Sequence, residues 1–333
     1  MSDLENTNRF MPEFESRVDL DALHTKLEAV RTEVKKVIVG QDRAINMLLV
    51  SILAGGHSLI EGLPGLAKTL TAKLIARSIN SDFKRIQFTP DLMPSDVTGS
   101  SILDLKTNEF EFRPGPIFGN IVLIDEINRA PAKTQASLFE CMSEKQVTVD
   151  GHTYPMANPF IVFATQNPIE HEGTYRLPEA QLDRFLFKID IHYPDFDQEL
   201  NILKEHHAQK ARDKESLVQA VVSADEIVHF QHLSKMVFVH DDILKYITEV
   251  IVNTRTNPNL TLGASPRASI AILEASKAFA ALQGRDFVTP EEVKYVAPAI
   301  LGHRVQLTPE KEMEGFSTDY IIRQIVESVE IPR

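Results

Sequence analysis

Three stretches of the chain hold the residue types that phosphate chemistry needs. GLPGLAKT, residues 62–69, nearly matches the pattern G-x-x-x-x-G-K-[ST], with Ala67 where that pattern has its last glycine. Small residues let backbone N–H groups turn inward, and a helix N-terminus behind them offers its positive dipole end. Lys68 then reaches the β- and γ-phosphates, and the Thr69 hydroxyl can ligate Mg²⁺. A Gly-Pro turn before an ordinary helix with a chance Lys-Thr pair would read the same way in isolation. IVLIDEINR, 121–129, is an apolar strand ending in Asp125-Glu126. A carboxylate at a strand tip beside such a loop is where Mg²⁺ is held, and the next carboxylate is placed to activate water. FATQNP, 163–168, ends another apolar run with Asn167, whose amide can orient that water, although Asn-Pro is also a common turn.

Two arginines extend the set. Arg184 closes LPEAQLDR just before an apolar strand, and Arg267 sits in the first turn of a helix opened by Ser265-Pro266. A cation at a helix N-terminus is unfavourable by the dipole argument, which favours a role facing phosphate. A surface ion pair is the plain alternative for each.

The elements that must position these groups follow from the pattern. Leu20, Leu23, Leu27, Val30, Val34 and Val37 make one helix face, and Ala44–Ala54 a second helix. Strands are expected at 57–61, 83–88, 120–125, 159–165 and 185–191, alternating with helices, hence a mostly parallel three-layer sheet. Two hairpins are expected to interrupt it, near 97–112 and around Asp150-Gly151 at 146–156. After Pro194 only helices are expected, among them one from Ser265 to Gly284 and one opened by a Thr289–Glu292 capping box and ended or kinked by Pro298. The expected organisation is a loose leader over 1–17, an α/β core over 18–196 and a helical unit over 197–333.

Composition bounds the function. The net charge is −12 across 333 residues, with a pI near 5.4 and no run of three basic residues. Such a balance argues against non-specific binding to nucleic acid or anionic membrane. The lone cysteine, Cys141, excludes an intrachain disulfide, and the acidic start lacks a signal peptide's basic and apolar regions. A cytoplasmic protein without membrane insertion is expected. His206-His207 reads as a solvated helix face, Cys141 as a small buried thiol, and Tyr154 as a strand tyrosine packed on a neighbour.

VGQ (39–41), GLPGLAKT (62–69), LIDEINRA (123–130), ATQNP (164–168), LPEAQLDRF (177–185) and GASPRA (263–268) together resemble the MoxR family of AAA+ ATPases, in which alanine before the loop lysine is usual. The resemblance runs from near residue 18 to the C-terminus. It implies a P-loop αβα core with a mainly parallel five-stranded sheet, and a C-terminal all-α lid. It implies ATP and Mg²⁺ as cofactors. Val39, Gly40 and Gln41 would line the adenine pocket. Gly62, Pro64, Gly65, Leu66 and Ala67 would form the loop, with Lys68, Thr69 and Leu70 opening the helix behind it. Thr69 and Asp125 would hold Mg²⁺, Glu126 would be the general base, and Asn167 the first sensor. Arg184 would be an arginine finger on a neighbouring subunit's ATP, and Arg267 the second sensor on the lid. Arg129 and Arg176 have no firm role. The hairpins match the helix-2 insert and the pre-sensor-1 hairpin of the wider group that includes magnesium-chelatase subunits.

The function this implies is chaperone-like remodelling or maturation of protein clients by a ring, hexameric in expectation, including metal-cofactor insertion. The partner implied is a separate von Willebrand factor A domain protein, since its D-x-S-x-S metal motif is absent here. A chelatase motor subunit is the alternative, followed by a nucleic-acid motor.

Overall fold

The computed structural model describes residues 18–106, 108–168, 174–208 and 214–331, so the leader over 1–17 lies outside the described residues. Five strands form one parallel sheet: β1 (Ser58–Gly62), β2 (Phe83–Gln87), β3 (Ile121–Asp125), β4 (Ile161–Gln166) and β5 (Phe187–Ile191). Their spatial order is β5-β1-β4-β3-β2. Continuous apolar sequence in β3 and β4 follows from their central places, since both faces are covered. Leu123 and Phe163 pack to one face, while Val122, Ile124 and Val162 pack to the other against Leu138, Phe139 and Met142 of the helix Ala132–Glu144. On the first face lie the helices Asp21–Lys35, Asp42–Ala54 and Lys68–Ser78. The same apolar cluster continues into the C-terminal helices Pro266–Leu282 and Pro290–Leu301.

The first hairpin pairs Gly99–Asp104 with Glu109–Pro114, two residues later than 97–112. Pro94–Thr98 instead form a short helix that stops at Gly99, where φ is 94° and a Cβ would lie 2.2 Å from the Arg113 carbonyl oxygen. The second hairpin pairs Gln146–Val149 with His152–Pro155. Asp150 and Gly151 between them have φ of 51° and 79°, the left-handed pair that a two-residue turn uses. The two hairpins meet, Phe112 stacking on Tyr154 at 4.0 Å between ring centroids.

Among the described residues past β5 the regular structure is helical apart from three short strands that the sequence pattern did not reveal. Val222–Ser223 pairs parallel with Ile79–Asn80, and Leu260–Leu262 pairs antiparallel with Gln306–Leu307. Two or three residues are too few for an alternation to register. The helix at Pro290 runs past Pro298 to Leu301 instead of ending there. Among the described residues no helix is long and apolar enough to cross a membrane.

His57 enters β1 from a buried position, 5% exposed. Its Nδ1 accepts from the Val162 N–H at 3.0 Å, so its Nε2 carries the proton and donates to the Met142 carbonyl at 3.2 Å. The ring therefore ties β1 to β4 and to the helix Ala132–Glu144. Burial pushes its pKa down from 6.5 to about 4, with the Met142 carbonyl opposing the shift. A histidine depressed in the folded state binds fewer protons there than in the unfolded chain. Stability is full above about 6.5 and falls as pH drops toward about 4. His57→Leu is expected to cost about 1–3 kcal/mol for each partner left unpaired in the interior. It should also flatten the loss of urea stability between neutral and mildly acid pH; an unchanged slope would exclude His57 as its source.

Candidate functional site

Because every strand runs the same way, the carboxyl ends of β1 to β4 share one edge, the place where open α/β sheets hold ligands. β1 closes on Gly62, where a Cβ would stand 2.8 Å from the Ile191 carbonyl oxygen. The loop that follows takes left-handed backbone at Gly65 and Ala67, φ 85° and 55°. That turns N–H groups toward a common centre. Alanine tolerates the conformation at a cost of order 1 kcal/mol, so the missing glycine does not break the loop. The Lys68 ammonium folds back on the Gly62 carbonyl and, at 3.3 Å, on that of Leu63. Burial lowers its pKa, while the carboxylates of Glu126, Glu61 and Asp125 pull it upward.

Asp125 is the best-connected carboxylate at this edge. Thr69 Oγ1 donates to its Oδ1 at 2.7 Å and Thr165 Oγ1 at 3.2 Å, while Arg85 Nε pairs with its Oδ2 at 2.6 Å. Glu126 follows in a left-handed conformation, φ 57°, with its N–H donating to Thr165 Oγ1 at 3.1 Å. Its carboxylate accepts from Gln87 Nε2 at 3.0 Å and lies 3.1 Å from Arg129 Nε. Arg85, Gln87 and Thr165 were not singled out in the sequence. Their signal was slight: Arg85 and Gln87 are two apart on β2, and the register sets Gln87 beside Asp125.

A cavity of about 730 Å³ lies over the loop, lined by Pro64 to Leu70 and by Arg85, Gln87, Asp125, Glu126, Thr165 and Asn167. Against it lies a second, of about 480 Å³, which shares Pro64 to Ala67 and adds Val39, Gln41, Ile191, Tyr193 and Ile202. Gly40 has φ 71°, and a Cβ there would meet the Gln198 side chain at 2.9 Å. Gln41 lines this cavity, but its carboxamide serves the loop: it donates to the Leu66 carbonyl and accepts from Thr71 Oγ1, both at 3.1 Å. Inward N–H groups, Lys68 and Arg85 fit a polyphosphate, and the adjacent cavity fits a base. Thr69 Oγ1 and the Asp125 carboxylate, 2.7 Å apart, are the hard oxygen pair a Mg²⁺ ion takes.

Arg184 and Arg267 do not line either cavity; both are exposed. Arg184 Nη1 donates to the Phe139 carbonyl at 3.1 Å, three residues before β5 begins. β5 runs parallel to β1 with Ser58 beside Phe187, so Arg184 stands at the end of the sheet away from the loop. Five residues of strand separate the two ends, roughly 16 Å at about 3.3 Å per residue. Arg267 Nη1 lies 3.6 Å from Asp183 Oδ2, beside Arg184 and not over the chain's own loop. Arg176 lines a separate cavity of about 570 Å³ with Asn167, Glu61 and Lys188. Cys141 is buried, its thiol pushed up to about 11 by burial, and His206 and His207 are exposed.

Residues 57–187 match the family model for the ATPase family associated with various cellular activities (AAA), and residues 252–325 match the AAA lid domain. YeaC of Bacillus subtilis (strain 168) is 49% identical over 310 residues, 93% of this chain and 96% of that protein. Chaperone MoxR1 of Mycobacterium tuberculosis is 42% identical over 320 residues, 93% of this chain and 83% of that protein. A crystal structure from Cytophaga hutchinsonii superposes with a TM-score of 0.85 at 44% identity, covering 94% of this chain and 96% of that one.

Asp125→Asn removes the charge of the oxygen pair and leaves Arg85 without its partner. In titrations of a fluorescent ATP analogue, wild type is expected to weaken when EDTA removes Mg²⁺, and Asp125→Asn to show little of that dependence. A variant that keeps the full dependence would move the metal elsewhere.

Proposed function

We propose, for a chain that belongs to the MoxR family of AAA+ ATPases, that ATP hydrolysis drives chaperone-like remodelling of protein clients by a closed ring of subunits. The reaction splits ATP with water into ADP and phosphate. Lys68 holds the β- and γ-phosphates. Thr69 and Asp125 hold Mg²⁺, which neutralises charge between the phosphates when bound. Glu126 takes the proton of the attacking water, which Asn167 orients. To do so Glu126 leaves Gln87 and Arg129, which draw its carboxylate aside in this conformation.

The observation that carries the reading is the separation of charges. The loop ends β1 and Arg184 precedes the parallel β5, so one chain cannot bring both to the same phosphate. A second subunit can, and an arginine given across a boundary is worth about 10³ to 10⁵ in rate. Arg267, paired to the residue before Arg184, goes with it to the neighbour's nucleotide. We propose a cytoplasmic hexamer, a core over 18–196 and a lid over 197–333. The clients are proteins undergoing maturation, including insertion of metal cofactors, and the partner is a separate von Willebrand factor A domain chain. Leu105 and Phe110 of the first hairpin, 86% and 75% exposed, support client contact on that side.

Glu126→Gln keeps shape and loses the base, so ATP binding should stay near wild type while turnover falls about 10²- to 10⁴-fold. Rings trapped this way should retain clients for identification by mass spectrometry; wild-type turnover would remove the base assignment. Arg184→Ala should bind ATP and barely hydrolyse it, and mixing it with inactive Lys68→Ala should restore phosphate release. No restoration in rings shown to be mixed would leave Arg184 an ordinary surface arginine.

A further inference from the structure

Arg304 follows the helix Pro290–Leu301 in the lid, and its side chain is 5% exposed. A buried guanidinium is costly unless every donor is satisfied. Here nearly all its bonds go to one short segment of the core. Nε donates to Asp183 Oδ1 at 2.7 Å, and Nη2 to the carbonyls of Asp183 and Phe185 at 3.1 and 2.8 Å. Nη1 donates to the Leu186 carbonyl at 3.2 Å and to that of Ile300, in its own helix, at 2.6 Å. The neighbouring His303 adds Nε2 to the Phe185 carbonyl at 3.0 Å. The lid thus holds the carbonyls of Asp183, Phe185 and Leu186. Between them is Arg184, whose side chain is exposed and donates through Nη1 to the Phe139 carbonyl at 3.1 Å.

We infer that Arg304 is a positioning residue for Arg184: it fastens the finger's backbone to the lid, so that the finger's reach toward a neighbour follows the lid's position. The inference rests on the reading of Arg184 as a finger given across the ring. Packing alone does not call for this arrangement. Phe185 and Phe187 are already buried, and the Leu186 N–H already bonds to the His57 carbonyl at 2.8 Å. A planar fork of donors instead fixes direction, which a hydrophobic plug of the same volume would not. Arg267, at the start of another lid helix, lies 3.6 Å from the same Asp183 carboxylate. The start of one lid helix and the turn after another therefore meet at one residue beside the finger. A lid shift of about 1 Å would displace the guanidinium of Arg184 by a distance that costs about 10²-fold in rate.

The test uses the full chain with Arg304→Lys, which keeps charge and loses the fork, and Asp183→Asn, which keeps the carbonyls and loses the ion pair. Both should bind a fluorescent ATP analogue within about twofold of wild type and turn over about 10- to 100-fold more slowly. In rings shown to be mixed, each should regain phosphate release with Lys68→Ala, which supplies an intact finger. Neither should regain it with Arg184→Ala, which does not. Rescue of Arg304→Lys by Arg184→Ala would put the defect in its own ATP site and overturn the inference, as would wild-type turnover. Rescue by neither partner, or failure of both variants to fold, would make the role structural and equally overturn it. If Arg184→Ala and Lys68→Ala do not rescue each other, the finger reading itself falls; if they do and Arg304→Lys sorts otherwise, only the present inference falls.

Discussion

A carboxylate sealed from water at the tip of the central sheet sets the terms for everything around it. Asp125 is 3% exposed, and an unpaired charge at such depth is not tolerated. Its partners come from three different elements: Thr69 from the helix behind the loop, Thr165 from β4 and Arg85 from β2. Satisfying one side chain therefore fixes the loop against two strands that flank β3. The same Thr165 hydroxyl accepts the Glu126 N–H, which helps to hold that residue in its left-handed conformation. Strain of about 1–3 kcal/mol at this position is sustained because the neighbouring bonds determine it. Glu126 is consequently aimed by the backbone, and only its carboxylate is free to choose partners.

These groups gather at one end of the sheet. The loop, the Thr69–Asp125 oxygen pair and Glu126 share the carboxyl edge of the sheet, where a parallel arrangement brings strand ends together. The arginines lie at the other end, one on the approach to the edge strand β5 and one on the lid. The division follows from strand polarity and needs no further device. The apolar core runs unbroken from the sheet into the lid helices.

What was legible in the sequence was what is local in the chain. The loop, the Asp125-Glu126 pair and the five apolar runs are each encoded within a few consecutive residues, so composition and spacing expose them. Their limits moved by at most two residues because ladder hydrogen bonding, not hydropathy, decides where a strand stops. Contacts between distant segments were not legible. Nothing near Arg85 or Gln87 announces a partner 39 or 40 residues on. His303 and Arg304 were not singled out, and their partners lie 118 to 121 residues back. Gln41, expected to line the adenine pocket, does line the cavity beside the loop, but the two loop bonds of its amide were not legible. Pro298 was expected to end or kink its helix, and the helix runs past it to Leu301 within a buried apolar stretch.

The stacked rings of Phe112 and Tyr154 bear on how the inserts can change over time. The two hairpins are separate in the chain, yet each places one aromatic face against the other at 4.0 Å. The strand Gln146–Val149 leaves the helix Ala132–Glu144 almost directly, and that helix starts shortly after the turn carrying Glu126 and Arg129. The hairpins therefore meet at one contact although they come from two separate segments of the chain. Replacing Tyr154 would remove the face stacked on Phe112 and leave that ring only its edge contact with Phe118, at 5.8 Å between centroids, so a change in one hairpin is felt in the other.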